Sequence, residues 1–126
     1  GDIALAHFAA TLRLAASPGD LLGRYGGEEF CALVTRDSHQ DIRDVAGGWC
    51  RTLAATPLQV DGQAIALTMS IGVSYQQAAS TLETLLVEAD RYVYQAKALG
   101  RNQVVDATVS PRDRQGLLRD EPVLMV

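Results

Sequence analysis

Two adjacent carboxylates, Glu28 and Glu29, follow two glycines in the run Arg24-Tyr25-Gly26-Gly27-Glu28-Glu29-Phe30. Paired glycines between apolar segments suit a tight hairpin turn, because glycine takes positive φ without a Cβ clash. Two carboxylates at such a tip cannot both enter a core, and they repel each other unless a cation lies beside them. The glycines also let a bulky anion come close to the backbone. A hard ion such as Mg²⁺ holding phosphates fits this chemistry. A plain solvated turn fits the same residues.

A second group of residues closes a helical pattern. Lys97 falls in its last turn and Arg101 just beyond it, before Asn102. Four residues apart, these cations could grip one polyphosphate; they could equally complement the negative end of the helix dipole. A third run, Thr68-Met69-Ser70-Ile71-Gly72-Val73, reads as a strand with a glycine at its centre and by itself carries no chemistry.

The elements that must position these groups follow from periodicity. Leu5, Phe8, Leu12 and Ala15 share a helical face, with Asp2 fitting the N-cap and Ser17-Pro18-Gly19-Asp20 ending the helix. Leu21 to Tyr25 and Phe30 to Thr35 form the arms of the hairpin. A second helix is expected over Asp41 to Ala55, capped by Asp37 or Ser38 and weakened by Gly47-Gly48. After a turn at Asp61-Gly62, bulky residues from Ile65 to Val73 alternate with small ones, which predicts one continuous strand. Its small face invites the close approach of a helix or ligand. Leu82, Leu85, Leu86, Ala89, Val93 and Ala96 stripe a helix over Thr81 to Leu99, with Gly100 at C′. Gln103 to Val105 is a short closing strand. This order predicts an α+β sandwich on a mainly antiparallel sheet. Residues 1–107 read as one domain, and 108–126 as a flexible C-terminal tail.

Composition narrows the partners. Of 126 residues, 48% are hydrophobic and 21% charged, and the net charge is −4 without a basic block. That balance is globular and disfavours a nucleic acid polymer. Cys31 and Cys50 sit inside patterned segments without CxxC or Cys/His spacing, as reduced, buried thiols do; His7 and His39 show no ligand spacing either. No stretch approaches the about 18 apolar residues of a membrane span, and Gly1 is not preceded by a basic leader. A soluble, cytoplasmic domain is expected, with any membrane tether lying upstream.

RYGGEEF, then TMSIGV, then AD..VY.AK..GRN, in this order and at these separations, resembles the GGDEF family in its GGEEF form. The resemblance runs from Gly1 to about Asp106. It implies a palm-like (ferredoxin-like) antiparallel sheet, as in nucleotidyl cyclases and polymerases, with a protruding GGEEF hairpin. It implies a diguanylate cyclase, in which two GTP-bound domains face each other as a homodimer and condense their substrates into cyclic di-GMP, releasing pyrophosphate. By match, Glu28 is the metal ligand (Mg²⁺ or Mn²⁺) and proton acceptor, and Glu29 belongs to the same acidic catalytic site. Gly26 and Gly27 admit the nucleotide, Lys97 and Arg101 hold its phosphates, and Asp2 reads the guanine.

Two departures accompany the match. Family members begin with a strand bearing an aspartate metal ligand, central in the sheet, and a short helix whose asparagine reads guanine; Gly1-Asp2 matches the point just after both. Their absence predicts a core gap and an inactive isolated chain, unless another segment such as Val123 to Val126 fills it. At the inhibitory product site the family often has Arg-x-x-Asp, whereas Ser17 stands here in place of the arginine before Asp20. The alternative reading is a non-catalytic module that binds GTP or cyclic di-GMP and regulates a partner. An upstream sensor or regulatory domain is expected in either case.

Overall fold

The computed structural model describes residues 2–27, 29–107 and 123–125, giving for Asp2 and 123–125 the backbone alone. Helix α1 spans Asp2–Ala15, so Asp2 is its first helical residue and not the cap before it. The break after it is set by Gly19, at φ 93, and by an Asp20 N–H to Ser17 carbonyl bond of 3.1 Å. Strands β1 (Leu21–Arg24) and β2 (Phe30–Leu33) form the expected hairpin, with Leu21 opposite Leu33 and Arg24 opposite Phe30.

Helix α2 runs from His39 to Ala54, two residues earlier than its apolar pattern implied. Ser38 explains this: its hydroxyl accepts the Asp41 N–H at 3.0 Å, satisfying a first-turn donor. Gly47 and Gly48 are accommodated because Ile42, Ala46, Trp49, Cys50 and Leu53 bury the helix's inner face. Packing of that face outweighs the propensity cost.

The strand expected over 65–74 is two strands in different sheets. Leu58–Val60 (β3) and Gln63–Ile65 (β4) form a separate ribbon around Asp61 and Gly62, at φ 50 and 79. Only Ile71–Ser74 (β5) enters the main sheet. The alternation is real, but its two halves find hydrogen-bond partners in different places, so the chain leaves the extended ladder between them. All of β4 is exposed and all of β5 is buried.

Helix α3, Leu82–Ala98, follows the Thr81 cap, where Thr81 and Thr84 bond reciprocally as a capping box. Strand β6, Val104–Val105, then pairs with β5 in parallel. The largest departure comes last. Val123–Met125, placed by sequence in a flexible tail, form β7 at the centre of the sheet, whose order is β1-β2-β7-β5-β6. β7 is antiparallel to both neighbours, pairing Leu33 and Ser74 with Val123, and Cys31 and Gly72 with Met125. Buried backbone groups on β2 and β5 require partners, and an apolar, extended segment supplies them.

The sheet separates two helical layers. On one side Leu12, Ile42, Ala46, Trp49 and Leu53 of α1 and α2 pack with Ile71, Val73 and Tyr75. On the other, α3 lies so close to Gly72 that an added Cβ would stand 2.1 Å from the Ala89 carbonyl oxygen. This is the close helix approach expected from the strand's small face.

Candidate active site

The hairpin tip is shaped by backbone. Gly26 and Gly27 take φ of 74 and 45, and with no heavy atom within 4 Å of a would-be Cβ they hold the turn open. The Tyr25 N–H donates to the Glu29 carbonyl at 2.7 Å and the Glu29 N–H to the Gly26 carbonyl at 2.8 Å. Arg24 reinforces the turn, donating from Nε and Nη2 to the Gly27 carbonyl at 2.8 and 2.6 Å. Glu29 is half-buried beside it, while Glu28, the metal ligand expected by match, lies outside the described residues.

A cavity of about 480 Å³ opens between α1 and the hairpin. Its walls are mostly apolar, from Leu5 and Ala9 on α1, Leu22 and Phe30 on the hairpin, and Trp49 on α2; Arg13 and Arg24 also line it. The gap expected from sequence lay at the centre of the sheet, where β7 stands instead; this cavity beside the hairpin was not anticipated. Phe30 also stacks on Phe8, with ring centroids 4.9 Å apart, tying α1 to the strand that leaves the turn.

Lys97 stands in the last turn of α3 and Arg101 just beyond its end. The Arg101 N–H bonds to the Ala96 carbonyl at 2.9 Å and the Gly100 N–H to the Lys97 carbonyl at 3.4 Å, a Schellman closure made possible by Gly100 at φ 124. Arg101 and Asn102 then follow at φ 64 and 48, an uncommon conformation for residues with a Cβ. Both cations remain exposed. Neither lines the cavity beside the hairpin.

Asp20 has a partner that sequence reading missed. Arg36 donates to it from Nη1 and Nη2 at 2.8 and 2.9 Å, and the Ser17 N–H adds a bond of 2.9 Å. The signal was available: a hairpin with Leu21 opposite Leu33 brings Asp20 and Arg36 to the same open end. Also missed was a buried network in which Tyr75 donates to Asp106 Oδ2 at 2.6 Å, with Arg43 3.3 Å from the same oxygen. Burial and this bond push the Tyr75 phenol above its ordinary value. Both thiols are pushed up by burial, Cys50 to about 11, which fits inert core cysteines.

The three-layer α+β fold, the glycine-opened acidic hairpin and the cationic helix end define a nucleotide-cyclase type of domain. The family model described as "Diguanylate cyclase, GGDEF domain" matches residues 1–103, and the chain belongs to this family. It is similar to the response regulator PleD of Caulobacter vibrioides, 39% identical over 108 residues covering 83% of this chain and 24% of that protein. It is also similar to diguanylate cyclase A of Treponema denticola, 32% identical over 105 residues covering 82% of this chain and 28% of that protein. The chain thus spans about a quarter of these relatives. Among solved structures, diguanylate cyclase SiaD in complex with its activator SiaC, from Pseudomonas aeruginosa, superposes with a TM-score of 0.76 at 29% identity, over 82% of this chain and 40% of that one. The GGDEF domain of DgcB from Caulobacter crescentus, in complex with c-di-GMP, shares the fold with a TM-score of 0.69 at 20% identity, over 82% of this chain and 63% of that one.

Proposed function

We propose that this chain is the cyclase domain of a diguanylate cyclase, acting on GTP in the cytoplasm as a face-to-face homodimer under an upstream sensor or regulatory domain. The observation that carries the proposal is the turn at Gly26 and Gly27. Its positive φ angles and absent side chains let a triphosphate lie against the backbone that leads into Glu28 and Glu29 in the sequence. Among the described residues no helix is long and apolar enough to cross a membrane.

Glu28 and Glu29 offer hard oxygen ligands, the donor type that Mg²⁺ or Mn²⁺ takes. The ion, when bound, acidifies the attacking hydroxyl and offsets phosphate charge. The remaining work belongs to this chain's own residues. Glu28 accepts the proton of the GTP 3′-hydroxyl. The 3′-oxygen so freed forms a bond to the α-phosphorus of the facing GTP, the bond from that phosphorus to the oxygen bridging to the β-phosphate breaks, and pyrophosphate leaves. Lys97 and Arg101 hold the β- and γ-phosphates, and Asp2 accepts from the N1–H and 2-amino group of guanine.

The test is cyclic di-GMP synthesis by the full-length protein with and without Glu28→Gln, which keeps the shape and removes the charge. Loss of synthesis with retained fold supports the assignment. Comparable synthesis overturns it. Nucleotide binding without synthesis in the unaltered protein selects the regulatory module instead.

A further inference from the structure

We propose that Arg24 is a positioning residue for Glu28: by gripping the Gly27 carbonyl it sets the peptide plane through which the chain enters Glu28, and with it the reach of that carboxylate toward a divalent cation. The part that concerns the cation rests on the functional reading above; the grip itself rests on the turn alone.

Little else holds the turn in place. Gly26 and Gly27 stand at φ 74 and 45 with no heavy atom within 4 Å of a would-be Cβ, so no packing restrains two residues that are conformationally free. Among the described residues, the backbone bonds of the turn join Tyr25 to Glu29 and Glu29 to Gly26, and neither involves the Gly27 carbonyl. Arg24 takes that oxygen with two donors, Nε at 2.8 Å and Nη2 at 2.6 Å. One bond leaves a carbonyl free to pivot, whereas two from a rigid, planar guanidinium fix its direction. The peptide unit that Gly27 shares with Glu28 is planar, so holding its carbonyl fixes the direction in which the chain continues. The base of the grip is firm: Arg24 lies opposite Phe30 in the hairpin, and Phe30 stacks on Phe8 of α1.

Among the described residues Arg24 forms no ion pair, so its guanidinium serves a neutral carbonyl and not a carboxylate. The grip matters to the chemistry because Mg²⁺ demands near-octahedral ligands, and a group displaced by about 1 Å costs about 100-fold in rate. Binding of GTP is a separate matter, since the cations proposed to hold its phosphates, Lys97 and Arg101, stand at the end of α3. Loss of Arg24 should therefore lower kcat and leave the GTP KM in place. Lysine is a poor substitute. As a point charge on a flexible stem, it can donate to the same oxygen without fixing its direction.

The full-length protein is compared with Arg24→Met and Arg24→Lys. Without nucleotide or metal, hydrogen exchange of the Glu29 amide, which bonds to the Gly26 carbonyl, should speed about tenfold in Arg24→Met, the scale of one charged hydrogen bond. The thermal midpoint should not move, because Arg24 is exposed. In cyclic di-GMP synthesis kcat should fall about 100-fold at an unchanged GTP KM, with Arg24→Lys recovering only part of the loss. Unaltered exchange overturns the proposal, as does faster exchange at the parental kcat. A raised KM at the parental kcat overturns it by placing Arg24 on the nucleotide, full kcat in Arg24→Lys by making charge alone sufficient, and a lowered thermal midpoint by making the effect one of general stability. If the unaltered protein makes no cyclic di-GMP, the functional reading fails instead, and the exchange rates alone decide whether Arg24 holds the turn.

Discussion

Arg36 holds Asp20 through two parallel bonds of 2.8 and 2.9 Å, closing the open end of the hairpin that carries the acidic turn. The Asp20 side chain is only 2% exposed, and the Ser17 N–H takes a further share of its lone pairs. Asp20, which the resemblance matches to the family's inhibitory aspartate, is thus engaged from within, and Ser17 offers no guanidinium at the arginine's position. Weak or absent feedback by cyclic di-GMP is expected, read as steady-state rates of the full-length protein with added product. Strong non-competitive inhibition abolished by Asp20→Ala would contradict it.

The same pair sets a pH dependence. Its bond to Arg36 is the main cause holding the Asp20 carboxyl below the ordinary 3.8. A depressed acid stabilises the fold above its unfolded value, and that contribution is lost as pH falls through the folded value. Arg36→Met should cost about 2 kcal/mol near neutral pH, the scale of a charged hydrogen bond. Urea titrations should show the two proteins converging below pH 3.8.

Gly72→Ala should destabilise the domain by about 3 kcal/mol, at the upper end of overpacking costs. Its Cβ would meet the Ala89 carbonyl oxygen at 2.1 Å and the Val93 nitrogen at 2.5 Å, both backbone atoms that no rotamer change can move. Thermal unfolding would register the loss; an unchanged midpoint would show that α3 can slide.

Tyr75→Phe should cost about 1–3 kcal/mol, because it leaves the Asp106 carboxylate buried with one donor fewer. Burial, then the bond to Asp106, raise the folded phenol above its ordinary 10.0. Such a group stabilises the fold below the unfolded value and loses that contribution as pH rises. The gap between variant and parent should therefore narrow above pH 10 in chemical denaturation.

The isolated 126-residue chain should make cyclic di-GMP at least about 100-fold more slowly than a version extended upstream, the scale of losing one transition-state charge stabiliser. The motivation is residue type: Val123, Leu124 and Met125 bring no carboxylate to the strand position where the resemblance implies an aspartate. Incubating both with GTP and Mg²⁺ gives the comparison, and equal rates would mean that the site is complete without it.

By itself the sequence determined the local features. Gly26-Gly27 dictated a turn, Thr81 and Gly100 bounded α3, Asp61-Gly62 turned a ribbon, and the small residue at Gly72 announced a close helix, because each depends on φ preferences, caps or side-chain size within a few residues. The order of three motifs was enough to name the family. What only the tertiary structure decided depends on distant segments meeting. Two strands replace one over 65–74 because each half pairs with a different sheet. Arg36 reaches Asp20 only across the folded hairpin. Val123–Met125 become the central strand because a buried ladder needs a partner on both edges; in sequence they read both as part of a flexible tail and as a filler for the core gap, and only the folded sheet decides between the two.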